Sequence, residues 1–358
     1  MSAAWFCLVA LMLAAYVLLD GFDLGVGILH LGVARTDAER RAVISTIGPV
    51  WDANEVWLLA AGGTLYFAFP VLYASGFSGF YLPLMMVLWL LMLRGISLEF
   101  RSHLRGPVWT PLCDTVFCGA SALLAIFFGA ALGNVVRGLP LDASGSFFEP
   151  LWTDFRLGTD TGILDWYTIL VGLAVYFALA QHGALWLNLK TSGAIAERAR
   201  HLARISWWLV VVLTAVITYC SFLVQPHIWA NFSAHPWGLV FPALALGGLA
   251  GVRWWTSSRA SAEGEFRAFL GSCGYLAGML TSAAFGLFPI VLPARGNPAY
   301  SLTIENAKAG DYGLKIGMIW WFIGMALATT YFVFVYRYFS GKASADGSEK
   351  DRDGHGAY

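Results

Sequence analysis

Two pairs of carboxylates stand inside or at the edge of strongly apolar runs. Asp20 and Asp23 lie in Asp20-Gly-Phe-Asp23-Leu-Gly-Val-Gly27, which closes the first run. Asp52 and Glu55 lie in Trp51-Asp52-Ala-Asn54-Glu55-Val-Trp57, which opens the second. An aspartate at the centre of a membrane helix costs roughly 2.5–3.5 kcal/mol. A spacing of three puts each pair on one helix face. In apolar surroundings Asp20 and Asp23 cannot both ionise cheaply, because desolvation and mutual repulsion favour the protonated form. Such a pair can hold and pass protons and titrate as a unit. The plain alternative is polar glue between helices.

The elements that position these groups follow from composition. The chain has 358 residues, 58% of them hydrophobic and 12% charged, with formal net charge zero. That excludes a soluble globule and leaves no electrostatic footprint for nucleic acid. Spanning takes about 20 apolar residues. Nine segments qualify: about 4–31, 54–74, 76–98, 112–136, 163–188, 205–225, 237–254, 269–292 and 314–337. The first lacks a basic leader and a small-residue cleavage pattern, so it reads as a retained helix. Ala74–Gly79 reads as the turn of an antiparallel hairpin between the second and third spans. Residues 1–341 form one polytopic membrane domain with no soluble insert. Residues 342–358 are polar and read as a disordered tail.

Charge asymmetry orients the chain. Segments 32–53, 94–111, 189–204, 253–268 and 337–358 carry 17 of the 22 Lys and Arg residues. The alternate loops hold Arg137, Arg156, Arg295, Lys308 and Lys315. The positive-inside rule then puts the N-terminus outside and the C-terminus in the cytoplasm. Trp pairs such as Trp207-Trp208 and Trp254-Trp255 flank basic residues and fit an interfacial belt facing membrane lipid.

Orientation gives depth. Asp23 lies about eight residues before the cytoplasmic end of its helix, roughly 12 Å deep. Asp52 and Glu55 lie at the interface. Asp20 or Asn54 would have to bridge the distance from Asp52 to Asp23. Arg94, near the end of the third span, is the counter-charge for the aspartates and is followed by Glu99 and Arg101. Asp114 occupies the first turn of the fourth span, where the helix dipole favours a carboxylate. Ionisable groups from four helices share the cytoplasmic half, and no comparable set is expected in the outer half.

Ligation chemistry is poorly served. The five cysteines form no C-x-x-C pair and read as small apolar residues. His30 and His182 are expected to be the only histidines in helices, and each stands alone. His227 and His235 lack compact metal-site spacing. Gly25-Val-Gly27 has no strand before it and reads as close helix packing, not a nucleotide loop.

Taken in order, the motifs resemble subunit II of the cytochrome bd family of quinol oxidases. The matching stretches are Asp20–Gly27, Glu39-Arg-Arg41, Gly48–Trp57, Ala60–Gly63, Phe77–Tyr81 and Leu93–Arg101. Further on come Gln181-His-Gly-Ala184, Leu189-Lys-Thr191, Phe288-Pro289 and Ser301–Ala307. The set covers most of the chain and is specific as a set. The resemblance implies an all-α membrane fold of two four-helix bundles plus one peripheral helix. It implies a terminal oxidase of the bacterial inner membrane that oxidises quinol, reduces dioxygen to water and draws protons from the cytoplasm. Subunit I would be the partner and would carry haems b and d, while this chain would bind none. A small accessory subunit, a structural quinone and the type of quinone stay open. The resemblance carries a proton-delivery or haem-support role onto Asp52, Asp23, Arg94 and Asp114; Glu55 stands where some relatives have glutamine.

Two other readings compete. An ion-coupled secondary transporter would suit the spans and carboxylates, but should show interrupted helices in corresponding halves. A purely structural partner should tolerate Asn at Asp23 and Asp52.

Overall fold

The computed structural model describes residues 1–103, 106–158, 161–257 and 261–343. Twelve α-helices account for most of them. In order they are α1 (Ser2–Val33), α2 (Asp37–Ser45), α3 (Trp51–Ala68), α4 (Pro70–Gly79), α5 (Tyr81–Phe100) and α6 (Trp109–Arg137). Then follow α7 (Trp166–Lys190), α8 (Gly193–Val224), α9 (Pro226–Ala234), α10 (Val240–Ser257), α11 (Ala262–Leu287) and α12 (Asp311–Tyr338). Between α11 and α12, β1 (Ile290–Leu292) pairs antiparallel with β2 (Leu302–Thr303). Of the expected tail, only Lys342 and Ala343 lie among the described residues.

Eight of these helices are long and apolar enough to cross a membrane. The segment expected as the second of nine spans, 54–74, is instead divided between α3 and α4. The break falls at Phe69, with φ −133° and ψ 65°. Pro70 causes it: a proline disfavours helical geometry in the residue before it and is at home in the first turn of a helix. Asp52, Asn54 and Glu55 in the first turns of α3 lower its apolarity further. The expected turn at Ala74–Gly79 is helical, and Phe80 alone separates α4 from α5. At the other boundary surprise, α8 starts at Gly193, well before residue 205. Its basic first turns bury Ile195, Ala199 and Ala203, an amphipathic pattern without Gly or Pro to break it. His201 consequently lies in α8, and His227 lies in the short α9 that Pro226 opens, both contrary to expectation.

Helices α1, α3, α5 and α6 form one group, and α7, α8, α10 and α11 a second. Helices α1 and α6 join them: α6 packs on α7, and α1 packs on α3 and α6 in its own group and on α7 and α11 in the other. Glycine permits that contact. A Cβ on Gly25 would meet the Leu179 carbonyl oxygen at 2.0 Å, and one on Gly183 would meet the Gly25 carbonyl carbon at 2.2 Å. Small residues let membrane helices approach closely enough for dense dispersion contact. Helix α12 lies outside both groups and buries only Leu314 and Val335. Its ends are tied down: the Trp5 indole donates to the Leu314 carbonyl at 3.2 Å, and Lys190 donates to the Phe339 carbonyl at 2.7 Å.

Candidate functional site

The acidic face of α1 meets α3, α5 and α12 in one buried polar layer. Asp20, Asp23, Asn54 and Arg94 are all fully buried. Arg94 reaches from α5 and holds both Asp20 oxygens, one at 2.9 Å and the other closer. Its other neighbour is Glu55, 3.9 Å away and partly exposed. Asp23 is held differently. Asn54 Nδ2 donates to Asp23 Oδ2 at 2.7 Å and to the Leu19 carbonyl at 3.3 Å. Asp23 Oδ1 has no hydrogen-bond partner among the described residues. Tyr336 of α12 donates to Asn54 Oδ1 at 2.8 Å.

Each aspartate thus has its own partner. A buried guanidinium–carboxylate pair is tolerable because charge and hydrogen bonds are both matched. Asp20 has that arrangement; Asp23 has a neutral amide on one oxygen only. Asn54 follows Asp52 by two residues, a rise of roughly 3 Å. Asp52 therefore lies within about one turn of the Asp23 layer, not the expected 12 Å below it. The side chain of Asp52 is exposed on α3 and makes no hydrogen bond among the described residues. Glu99 is also exposed and accepts from the Trp51 indole at 3.3 Å.

Asp114 forms a second centre at the same end of the molecule. It accepts from His30 Nε2 at 2.7 Å, from Arg40 at 3.0 Å and from Arg101 at 2.6 and 3.2 Å. Arg101 also reaches Asp37 at 2.8 Å. These contacts clamp α1, α2, α5 and α6 together. The helix-dipole role expected of Asp114 is secondary beside three cationic or imidazole partners. Arg40 and His30 were each visible in the sequence, but their convergence was not, because three separate helices bring them in.

The opposite end carries a set that the sequence reading did not anticipate. Arg137, at the close of α6, binds Glu149 at 2.9 Å, Asn134 at 2.7 Å and also Asp165, the N-cap of α7. Arg295 adds a bond to Glu149 at 2.9 Å. Burial pushes the Glu149 carboxyl above its usual range, with the two arginines pulling the other way. The signal was present: Arg137 and Arg295 were two of only five basic residues in that set of loops. Residues 138–158 and 161–165 fold over them, so they act as a staple for the loop instead of lying on its surface.

The remaining histidines of interest are committed to packing. His182 bonds Ser272 at 2.6 Å and the Leu18 carbonyl at 3.0 Å, and stacks on Phe269.

Buried carboxylates with unequal partners, set in a bundle of long apolar helices, mark a polytopic membrane protein. Comparison with known proteins makes this specific. The model of the family "cytochrome bd terminal oxidase subunit II" matches residues 1–339. A probable cytochrome oxidase subunit 2 of Haemophilus influenzae is 31% identical over 97% of this chain and 96% of its own length. The cytochrome bd ubiquinol oxidase subunit 2 of Bacillus subtilis is 32% identical, over 87% and 88%. The cytochrome bd-I ubiquinol oxidase subunit 2 of Escherichia coli K12 is 27% identical over 88% of both. In structure, a chain of the bd oxidase from Geobacillus thermodenitrificans aligns with TM-score 0.72 at 18% identity. It covers 94% of this chain and 98% of that one. The chain belongs to the cytochrome bd terminal oxidase subunit II family. It is a multi-pass bacterial membrane protein and one subunit of a quinol:oxygen oxidoreductase, which sets aside the transporter reading.

Proposed function

We propose that this chain supports a haem-bearing subunit I and delivers cytoplasmic protons toward the oxygen-reducing site held there. Under this reading the basic end, with α2 and the Asp114 centre, faces the cytoplasm, and the 138–165 loop faces outward. Asp52 and Glu55 take protons at the exposed side of α3. Asp23 receives them in the buried layer, and Arg94–Asp20 supplies fixed charge beside it. The observation that carries the reading is Asp23 itself. It is a buried carboxylate with one oxygen bonded only to an amide and the other without a partner among the described residues. Buried carboxylates in membrane helices are costly and mark ion or proton paths by default.

The donor set supports placing the haems in the partner. His30 is spent on Asp114, and His182 is spent on Ser272 and the Leu18 carbonyl. His182 has both ring nitrogens bonded, and the second nitrogen of His30, Nδ1, is fully buried without a partner among the described residues, so it faces no open surface. Quinol oxidation is likewise assigned to the partner.

Asp→Asn tests the relay, because it keeps size and hydrogen bonding while removing the titrating proton. Asp23→Asn and Asp52→Asn complexes should assemble with normal haem content, yet reduce oxygen and take up protons more slowly per haem. Wild-type turnover per haem in both would eliminate a relay through this chain.

A further inference from the structure

We infer that Tyr336 is a positioning residue for Asp23, acting through Asn54 as a two-position amide switch; this rests on the relay reading above. Helix α12 is otherwise peripheral, and most of its surface is exposed. Yet its side chain at 336 reaches the most buried polar layer of the molecule. Tyr336 also leans on Phe332 and Trp186, which fix the ring. The ties of Lys190 to Phe339 and Gly341, and of the Ala343 amide to the Lys190 carbonyl at 2.7 Å, anchor the helix just beyond it.

The hydrogen-bond logic is closed. Asn54 faces two acceptors on one side, the Leu19 carbonyl and the Asp23 carboxylate, so its Nδ2 must point there. Its Oδ1 then points to Tyr336, which donates. A proton on the unpartnered Oδ1 leaves the amide as it stands, whereas a proton on Oδ2, the oxygen that faces Asn54, makes that oxygen a donor against the Nδ2 donor. A half-turn of the amide restores the match. Oδ1 then accepts from the Asp23 hydroxyl, and Nδ2 donates to Tyr336 Oη. The turn loses the bond to Leu19, the longest of the set at 3.3 Å, and sets Oδ1 toward that carbonyl, so Leu19 biases the amide back to its first position once Asp23 gives up the proton. A phenol hydroxyl can donate in one state and accept in the other; a phenylalanine can do neither. No proton leaves Tyr336 in either step. The surrounding charges are Asp20 and Arg94, locked to each other, and Glu55.

The test uses the intact oxidase carrying variants of this chain. Tyr336→Phe should slow oxygen reduction per haem about two- to tenfold, the value of one hydrogen bond. In an Asp23→Asn background it should add nothing, since the hydroxyl acts only through the Asp23 proton. The infrared carboxyl band that disappears in Asp23→Asn should shift in Tyr336→Phe, read in whatever fraction assembles. Asn54→Asp gives a second route: it keeps an acceptor for Tyr336 but can donate to Asp23 only when it carries a proton of its own, which removes the fixed amide donor, and it should also slow turnover. If Asp23→Asn is slow while Tyr336→Phe and Asn54→Asp run at the wild-type rate, the switch is overturned and the relay stands. If Asp23→Asn itself runs at the wild-type rate, the relay fails and the switch with it. An additive loss in the double variant, or an unmoved band, would make Tyr336 a packing residue only.

Discussion

At the scale of single residues, the polar groups of this chain divide by how completely they are matched. Asp114 is fully buried and takes bonds from His30, Arg40 and Arg101. Removing its charge takes the buried partner from Arg101, which keeps only the exposed Asp37, and from the part-exposed Arg40. Breaking a buried pair from one side typically costs about 3–5 kcal/mol. Asp114→Asn is therefore expected to lower the amount of assembled, haem-bearing complex several-fold, while the fraction that does assemble turns over normally. Haem content of purified membranes, followed by turnover per haem, checks this. Slow turnover at full haem content would instead move Asp114 into the proton path. Asp23 and Asp52 are expected to behave oppositely, so the same two measurements sort the carboxylates by role.

At the scale of elements, the fold depends on where helices approach without side chains between them. The contact of α1 with α7 is set by Gly25 against Gly183, backbone on backbone. Gly183→Ala puts a methyl group within 2.2 Å of the Gly25 carbonyl carbon. The helices must part, at a cost of roughly 1–3 kcal/mol or more for overpacking. Since α1 also carries Asp20 and Asp23, the shift should reach the buried layer. Gly32→Ala is the control: nothing lies within 4 Å of its added Cβ, and alanine is favoured over glycine in helices by roughly 0.5–1 kcal/mol. Thermal inactivation of the complex should fall for Gly183→Ala and hold or rise for Gly32→Ala. Equal behaviour would show that the α1–α7 contact is not limiting.

At the scale of the whole molecule, the question is which end faces the cytoplasm. The distribution of Lys and Arg puts Ser144 outside and Ser192 inside, and both side chains are exposed. In a Cys7→Ser background, which removes the exposed native cysteine, Ser144→Cys should react with an impermeant maleimide on whole cells. Ser192→Cys should react only after the membrane is opened. The reverse pattern would invert the molecule and place the Asp23 layer near the outer face. Orientation also fixes the meaning of the Arg137–Glu149–Arg295 staple, which then braces the outer loops against the ends of α6 and α7.

Local patterns were enough for much of this architecture. Apolar run lengths located the long helices, and Gly25-Val-Gly27 announced a close helix contact, since both signals depend only on neighbours in the chain. Asp20, Asp23, Asp52 and Glu55 stood out because charge in an apolar run is costly wherever the helix ends up. The break before Pro70 was equally local and was passed over in favour of an unbroken span. The partners were another matter. Arg94 was legible as the counter-charge of the aspartates, but not that it holds Asp20 alone; Arg137 and Arg295 converge on Glu149 across a folded loop, and Tyr336 meets Asn54 across 282 positions. Whether two such groups meet depends on how helices rotate and cross, and that is set by the packing of all of them together. The sequence by itself determined the membrane class, the acidic motifs and the family resemblance. Only the tertiary structure decided that Asp20 is neutralised while Asp23 is held by an amide, that Asp52 is exposed, and that a peripheral helix supplies the hydroxyl beside them.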